Sequence, residues 1–103
     1  MLPMLADHRD DIADLCRRFG VSRLEAFGSA ARGTDFDPER SDVDILVVYD
    51  PTERTATLDE FFALQRALAV LFGRKVDLIT ADSVENPYVR AGIEHDKQVL
   101  YAA

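Results

Sequence analysis

Asp42 and Asp44 open the most apolar stretch of this chain, and a Gly28-Ser29 pair precedes them across a basic, glycine-containing loop. A strand turns successive side chains to opposite faces, so Asp42 and Asp44 would share one face. Carboxylates held side by side repel each other and lose hydration, which calls for a compensating cation. Mg²⁺ fits that need, because it takes hard oxygen ligands and is usually held by one or two carboxylates plus substrate phosphates. The Gly-Ser turn would supply the other half of a phosphate site. Gly28 permits a positive φ and close approach of backbone to a ligand. Ser29 can start a short helix whose free N–H groups favour an anion.

A third acid, Asp77, interrupts the apolar run Val76-Asp77-Leu78-Ile79. Buried acids are almost always paired or metal-bound. If this run forms a strand beside residues 43–49, Asp77 can complete a cluster of three carboxylates. The competing reading is a salt bridge from Asp77 to Arg74 or Lys75. Each signal is weak by itself, since Gly-Ser pairs occur in ordinary turns and an Asp-x-Asp pair suits a solvated strand end. Their combination is more specific. Arg32, Arg40 and Lys75 are candidate phosphate contacts, each equally readable as a solvated charge.

Several elements must position these residues. Leu5, Ile12, Leu15 and Phe19, with His8 completing the stripe, predict an amphipathic helix over residues 4–19, ended by Gly20. Cys16 beside the stripe reads as a small buried thiol, and His8 and His95 as surface or boundary histidines. Residues 24–27 form a short strand candidate leading into Gly28, and residues 30–34 one helical turn. Residues 34–40 are polar, contain Pro38 and read as a loop. Residues 43–49 are rich in β-branched side chains and predict a central strand. Residues 55–72 carry Leu58, Phe61, Phe62, Gln65, Leu68, Leu71 and Phe72 at helical spacing, with Gly73 as a stop. Residues 76–79 predict a buried strand. Asn86 and Pro87 predict a helix start, with the helix running to about His95, followed by a short strand over residues 98–101. Tyr88 and Tyr101 read as packing residues. The alternation predicts an α/β or α+β fold, a mixed sheet of about four strands with helices packed on it.

The chain has 103 residues and reads as a single domain over residues 1–103. Its net charge of −7 argues against a broad nucleic-acid surface, though not against a nucleotide bound through metal. One cysteine excludes an internal disulfide and points to a reducing compartment. Apolar runs too short to span a bilayer and an acidic N-terminal segment predict a soluble, cytoplasmic protein.

Residues Phe27-Gly28-Ser29-Ala30-Ala31-Arg32-Gly33, Ser41-Asp42-Val43-Asp44-Ile45-Leu46-Val47 and Lys75-Val76-Asp77-Leu78 resemble the minimal nucleotidyltransferases of the polymerase-beta-like superfamily. Asn86-Pro87-Tyr88 and the segment from Ile93 to Tyr101 resemble that family's C-terminal end. The connection from Ser29 to Asp42 is longer than is usual in minimal members, with the excess in residues 35–40. The resemblance implies an active site at one edge of the sheet, with Gly28 and Ser29 holding a nucleoside triphosphate. It implies that Asp42 and Asp44 bind two Mg²⁺ ions and that Asp77 binds one ion or serves as base. The expected reaction moves AMP from ATP to an acceptor. Larger relatives add a helical domain for the acceptor, so a partner would supply it here. Similar minimal members pair with a HEPN-domain toxin and act as its antitoxin by adenylylating a tyrosine. Two further readings stay open: a non-catalytic antitoxin acting by complex formation, and a small-molecule, antibiotic-type nucleotidyltransferase completed by homodimerisation.

Overall fold

A computed structural model of the chain describes residues 3–33, 37, 42–50 and 56–103. Arg40, Ser41 and the rest of the polar loop apart from residue 37 lie outside the described residues. So does Thr55, where the long helical pattern was expected to begin.

Four strands form one mixed sheet in the order β3-β2-β1-β4. They are β1 (Val21–Phe27), β2 (Val43–Tyr49), β3 (Val76–Thr80) and β4 (Gln98–Ala102). β1 runs antiparallel to both β2 and β4, while β2 and β3 are parallel. A parallel pair requires a crossover, supplied by the helix α4 (Leu58–Phe72). Among the described residues the other helices are α1 (Pro3–Asp7), α2 (Arg9–Phe19), α3 (Gly28–Arg32) and α5 (Pro87–Asp96), and a 3₁₀ turn spans Ala81–Ser83.

The core forms where apolar strand positions meet the stripes of α2 and α4. Val43, Ile45 and Val47 alternate inward from β2 and are buried, as are Leu24 and Ala26 of β1, Val76 and Leu78 of β3 and Leu100 of β4. Leu5, Ile12, Cys16, Leu64, Leu68 and Phe72 close over them. Each fully buried Leu or Ile side chain contributes about 1.5–3 kcal/mol relative to exposure.

The first helix departs from expectation. It is interrupted at His8, whose φ of −105° and ψ of 20° are not helical. The interruption is slight, because the His8 carbonyl still accepts from the Ile12 N–H at 2.8 Å. The His8 ring packs edge-on to Phe72, with centroids 6.1 Å apart, so it does complete the stripe. β1 begins at Val21, earlier than the expected residue 24, because register shifts at Val21/Arg23 and Leu24/Glu25 break the alternation that marks a strand. α4 begins at Leu58, where Thr57 forms a capping box: its Oγ1 accepts from the Glu60 N–H at 3.1 Å, and Glu60 Oε1 accepts from the Thr57 N–H at 3.3 Å. Thr57→Ala should cost about 1 kcal/mol, read as a lower urea midpoint at unchanged m-value.

Two other assignments are revised. β3 is an edge strand, and Asp77 on it is exposed rather than buried. Tyr88 is 87% exposed and does not pack, whereas Tyr101 packs against the core.

Candidate active site

The register of β1 and β2 explains why the glycine turn and the aspartates meet. Phe27, the last residue of β1, lies opposite Asp44, the second of β2. The chain therefore leaves β1 and turns through Gly28 directly beside the Asp44 side chain. Gly28 takes a φ of +68°, and a Cβ placed on it would sit 2.6 Å from Asp44 Oδ2. The backbone angle favours glycine, and any Cβ there would require the Asp44 carboxylate to shift. Ser29 follows as the second residue of α3, and its carbonyl accepts from the Gly33 N–H at 2.8 Å. Phe27, which precedes the helix, provides no side-chain cap for its first N–H groups.

The β2–β3 pair brings in the third acid. Val43 pairs with Val76 and Asp44 with Asp77, so the two carboxylates occupy neighbouring positions in parallel strands. The Val43 N–H donates to the Lys75 carbonyl at 3.1 Å, and Gln65 Nε2 on α4 donates to the Val76 carbonyl at 2.8 Å. Together these bonds pin the start of β3 to β2 and to the helix above it. Asp42 lies just before β2, half-exposed, with Lys75 Nζ 3.6 Å from its Oδ2. Lys75 is thus engaged by Asp42 rather than by Asp77.

Asp44 carries the electrostatic signature of the group. Burial pushes its carboxyl above the usual carboxylate range, the charges of Asp77 and Asp42 push it further, and Arg32 partly opposes them. Among the described residues no three His, Cys, Asp or Glu side chains are grouped so as to hold a metal ion, so the expected cluster of three carboxylates is not formed. The acids form an open, oxygen-only set. That donor chemistry suits a hard divalent cation whose remaining ligands come from a phosphate substrate.

The sequence profile of the nucleotidyltransferase domain family matches residues 12–100, which include every one of these positions. The chain belongs to this family. It is 36% identical over 98 residues to the protein adenylyltransferase MntA of Thermococcus cleftensis, covering 95% of this chain and 88% of that protein. Among solved structures it is 33% identical to a chain provisionally named a minimal nucleotidyltransferase, with a TM-score of 0.73 over 91% of this chain and 90% of that one. The same fold, at 19% identity and a TM-score of 0.66, occurs in a complex described as a tri-AMPylated Shewanella oneidensis HEPN toxin with its MNT antitoxin. That likeness covers 96% of this chain and 73% of the other.

In this nucleotidyltransferase, then, Asp44 lies beside the Gly28 turn and pairs in register with Asp77, Asp42 directly precedes β2, and Ser29 follows on the adjoining turn. Arg32 stands in the last turn of α3, and its Nη1 donates to Asp96 Oδ2 at 2.5 Å. Lys75 is exposed. Cys16 is fully buried, and burial pushes its thiol up to about 12 against the smaller opposing effect of Arg17, so it offers no nucleophile. His95 is exposed and bonded to its neighbour Asp96.

Two positioning contacts escaped the sequence reading. Gln65 falls within an apolar stripe, where a lone amide is the available signal for a part-buried hydrogen bond. Glu25 reads in the sequence only as part of a strand, yet it is a buried acid. Arg23 Nε donates to it at 2.9 Å, and Lys97 Nζ lies 3.6 Å away. Its charge is thus offset by cations, whereas Asp44 faces mainly other anions. That contrast separates a structural acid from a candidate for metal.

Proposed function

We propose that this nucleotidyltransferase transfers AMP from ATP to a protein acceptor, and that the acceptor is a HEPN-domain toxin which it neutralises as an antitoxin. The observation that carries the reading is the pairing of Asp44 with Asp77 directly beside the Gly28 turn. A relative named as a protein adenylyltransferase and a like-folded antitoxin bound to an AMPylated toxin support the choice of acceptor.

In this reading Asp42, Asp44 and Asp77 hold Mg²⁺, two ions in all, while Gly28, Ser29 and Arg32 receive the triphosphate. Mg²⁺ bound by these carboxylates would supply charge neutralisation for the phosphates and for the charge that develops during displacement. The acceptor hydroxyl oxygen bonds to the α-phosphorus, the bond to pyrophosphate breaks, and the hydroxyl proton passes to a carboxylate. Asp77 suits that last role because the sheet edge leaves it open to an incoming protein. The chain's net charge of −7 favours approach to a basic, RNA-binding partner. Among the described residues no helix is long and apolar enough to cross a membrane.

The test is incubation with Mg²⁺ and ATP labelled at the α-phosphate, with and without a HEPN-domain protein co-expressed with this chain. Label on a tyrosine of that protein is expected. A stable unlabelled complex would instead identify a purely binding antitoxin. Label confined to a small molecule would identify a different acceptor.

A further inference from the structure

β3 forms one edge of the sheet, and side chains cap its outward backbone at both ends. The Val43 N–H donates to the Lys75 carbonyl, and Asp44 pairs with Asp77, so residues 75, 77 and 79 turn their backbone groups toward β2. Alternate residues of a parallel strand bond to opposite sides, which leaves residues 76, 78 and 80 turned outward. Gln65 Nε2 donates to the outward Val76 carbonyl at 2.8 Å, and Ser83 Oγ donates to the outward Thr80 carbonyl at 2.8 Å. Leu78 stands between these two caps. Its side chain lies in the core. Among the described residues nothing bonds to its outward N–H and C=O.

An unpaired strand edge is a template for pairing with another chain, and folds ordinarily cap, charge or cover it. Here the caps leave one residue bare, and that residue adjoins Asp77. The Asp77 side chain is exposed and shares a face of the sheet with Asp44. A segment laid antiparallel on β3 can exchange both bonds with Leu78 through a single residue. The residue that follows in the segment then stands opposite Asp77, on the same face, with Cβ atoms ~5 Å apart.

We propose that the outward edge of Leu78 is the docking point for the acceptor protein: an extended segment of that protein adds to β3 as a further strand and sets the acceptor side chain beside Asp77. This rests on the reading of the chain as a protein adenylyltransferase. Main-chain bonds supply the hold and the alternation of side chains supplies the aim, as in other strand additions to a sheet edge. A second copy of this chain is the poorer occupant, because a net charge of −7 opposes self-association and favours a basic partner.

Amide hydrogen exchange on the full chain tests this, with Mg²⁺, a non-hydrolysable ATP analogue and the co-expressed HEPN-domain protein, read by NMR after quenching. Without acceptor the Leu78 amide should exchange faster than those of Asp77 and Ile79, which face β2. With acceptor it should slow by about 10-fold or more, the size of one net hydrogen bond. Transfer assays then compare two variants. Thr80→Pro removes an outward N–H on an edge strand, at a φ of −89° close to the range of proline. Thr80→Val keeps that N–H and should match wild type. Thr80→Pro should raise KM for the acceptor protein about 3- to 10-fold at unchanged affinity for the ATP analogue. An unchanged Leu78 amide, a wild-type KM in Thr80→Pro, or an equal loss of analogue affinity in that variant would each overturn the proposal. Protection of Leu78 that grows with the concentration of the chain alone would assign the edge to a second copy and overturn it as well. Absence of label on any protein in wild type would overturn it together with the adenylyltransferase reading, a result distinct from all of these.

Discussion

Asp44→Ala is expected to abolish AMP transfer, by at least ~10³-fold, the loss typical when one preorganised group facing transition-state charge is removed. It is also expected to leave the metal-free protein as stable as wild type or more so. These expectations share one cause. Asp44 is half-buried, and burial together with Asp77 and Asp42 raises its pKa. An acid whose pKa is higher in the folded than in the unfolded state binds its proton more tightly when folded. Stability is then greatest below the ordinary carboxylate pKa and falls as pH rises through the interval up to the raised value. Wild type in chelator should therefore lose thermal midpoint as pH rises above the ordinary carboxylate range, and Asp44→Asn should lose less. Added Mg²⁺ should raise the midpoint of wild type at neutral pH and do little for the variant. Asp42→Ala should be as inactive but gain less stability, because Lys75 already offsets part of the Asp42 charge. Transfer at wild-type rate in Asp44→Ala, or a lower midpoint than wild type without metal, would remove the metal assignment.

What the sequence revealed of this site follows the range of the physics involved. β2 matched its expected span because β-branched residues, a buried alternation and flanking polar residues all act locally. The start of α5 was equally legible. Asn86 Oδ1 accepts from the N–H groups of Tyr88 at 2.9 Å and Val89 at 3.4 Å, within the motif itself. The glycine turn and the Asp-x-Asp pair were visible because residue type alone restricts what such a segment can do. Asp77 was selected partly for a wrong reason. Its place in an apolar run implied burial, but a sequence does not say which strand lies at the edge, and on an edge an acid can face water. Its candidacy now rests on its pairing with Asp44, a long-range fact. Gln65 and Asp96 were missed for the same reason, since their partners, Val76 and Arg32, are 11 and 64 residues away. The β1 register shifts likewise depend on two neighbouring strands at once.

Gly28→Ala should separate the cost of backbone strain from the cost to catalysis, with Gly73→Ala as its reference. Both glycines have a φ of +68°, so alanine at either position incurs a comparable strain, of order 1–3 kcal/mol. Around Gly73 an added Cβ meets nothing within 4 Å, whereas at Gly28 it meets Asp44 Oδ2 at 2.6 Å. That oxygen is the far end of a rotatable side chain and can move aside cheaply. The two variants should therefore unfold within about 1 kcal/mol of each other, measured by urea denaturation, because small side-chain shifts relieve most of such a clash. Catalysis has no such latitude. The carboxylate that yields is the one held against Asp77 and Asp42, and a displacement near 1 Å costs about 10²-fold in rate. Transfer should fall by about that factor in Gly28→Ala and stay near wild type in Gly73→Ala. Equal rates in the two variants would mean that the contact between the glycine turn and Asp44 is incidental. Equal rates at a reduced level would assign the whole effect to destabilisation. A selective loss in Gly28→Ala at matched stability is the outcome that a working Asp44 requires.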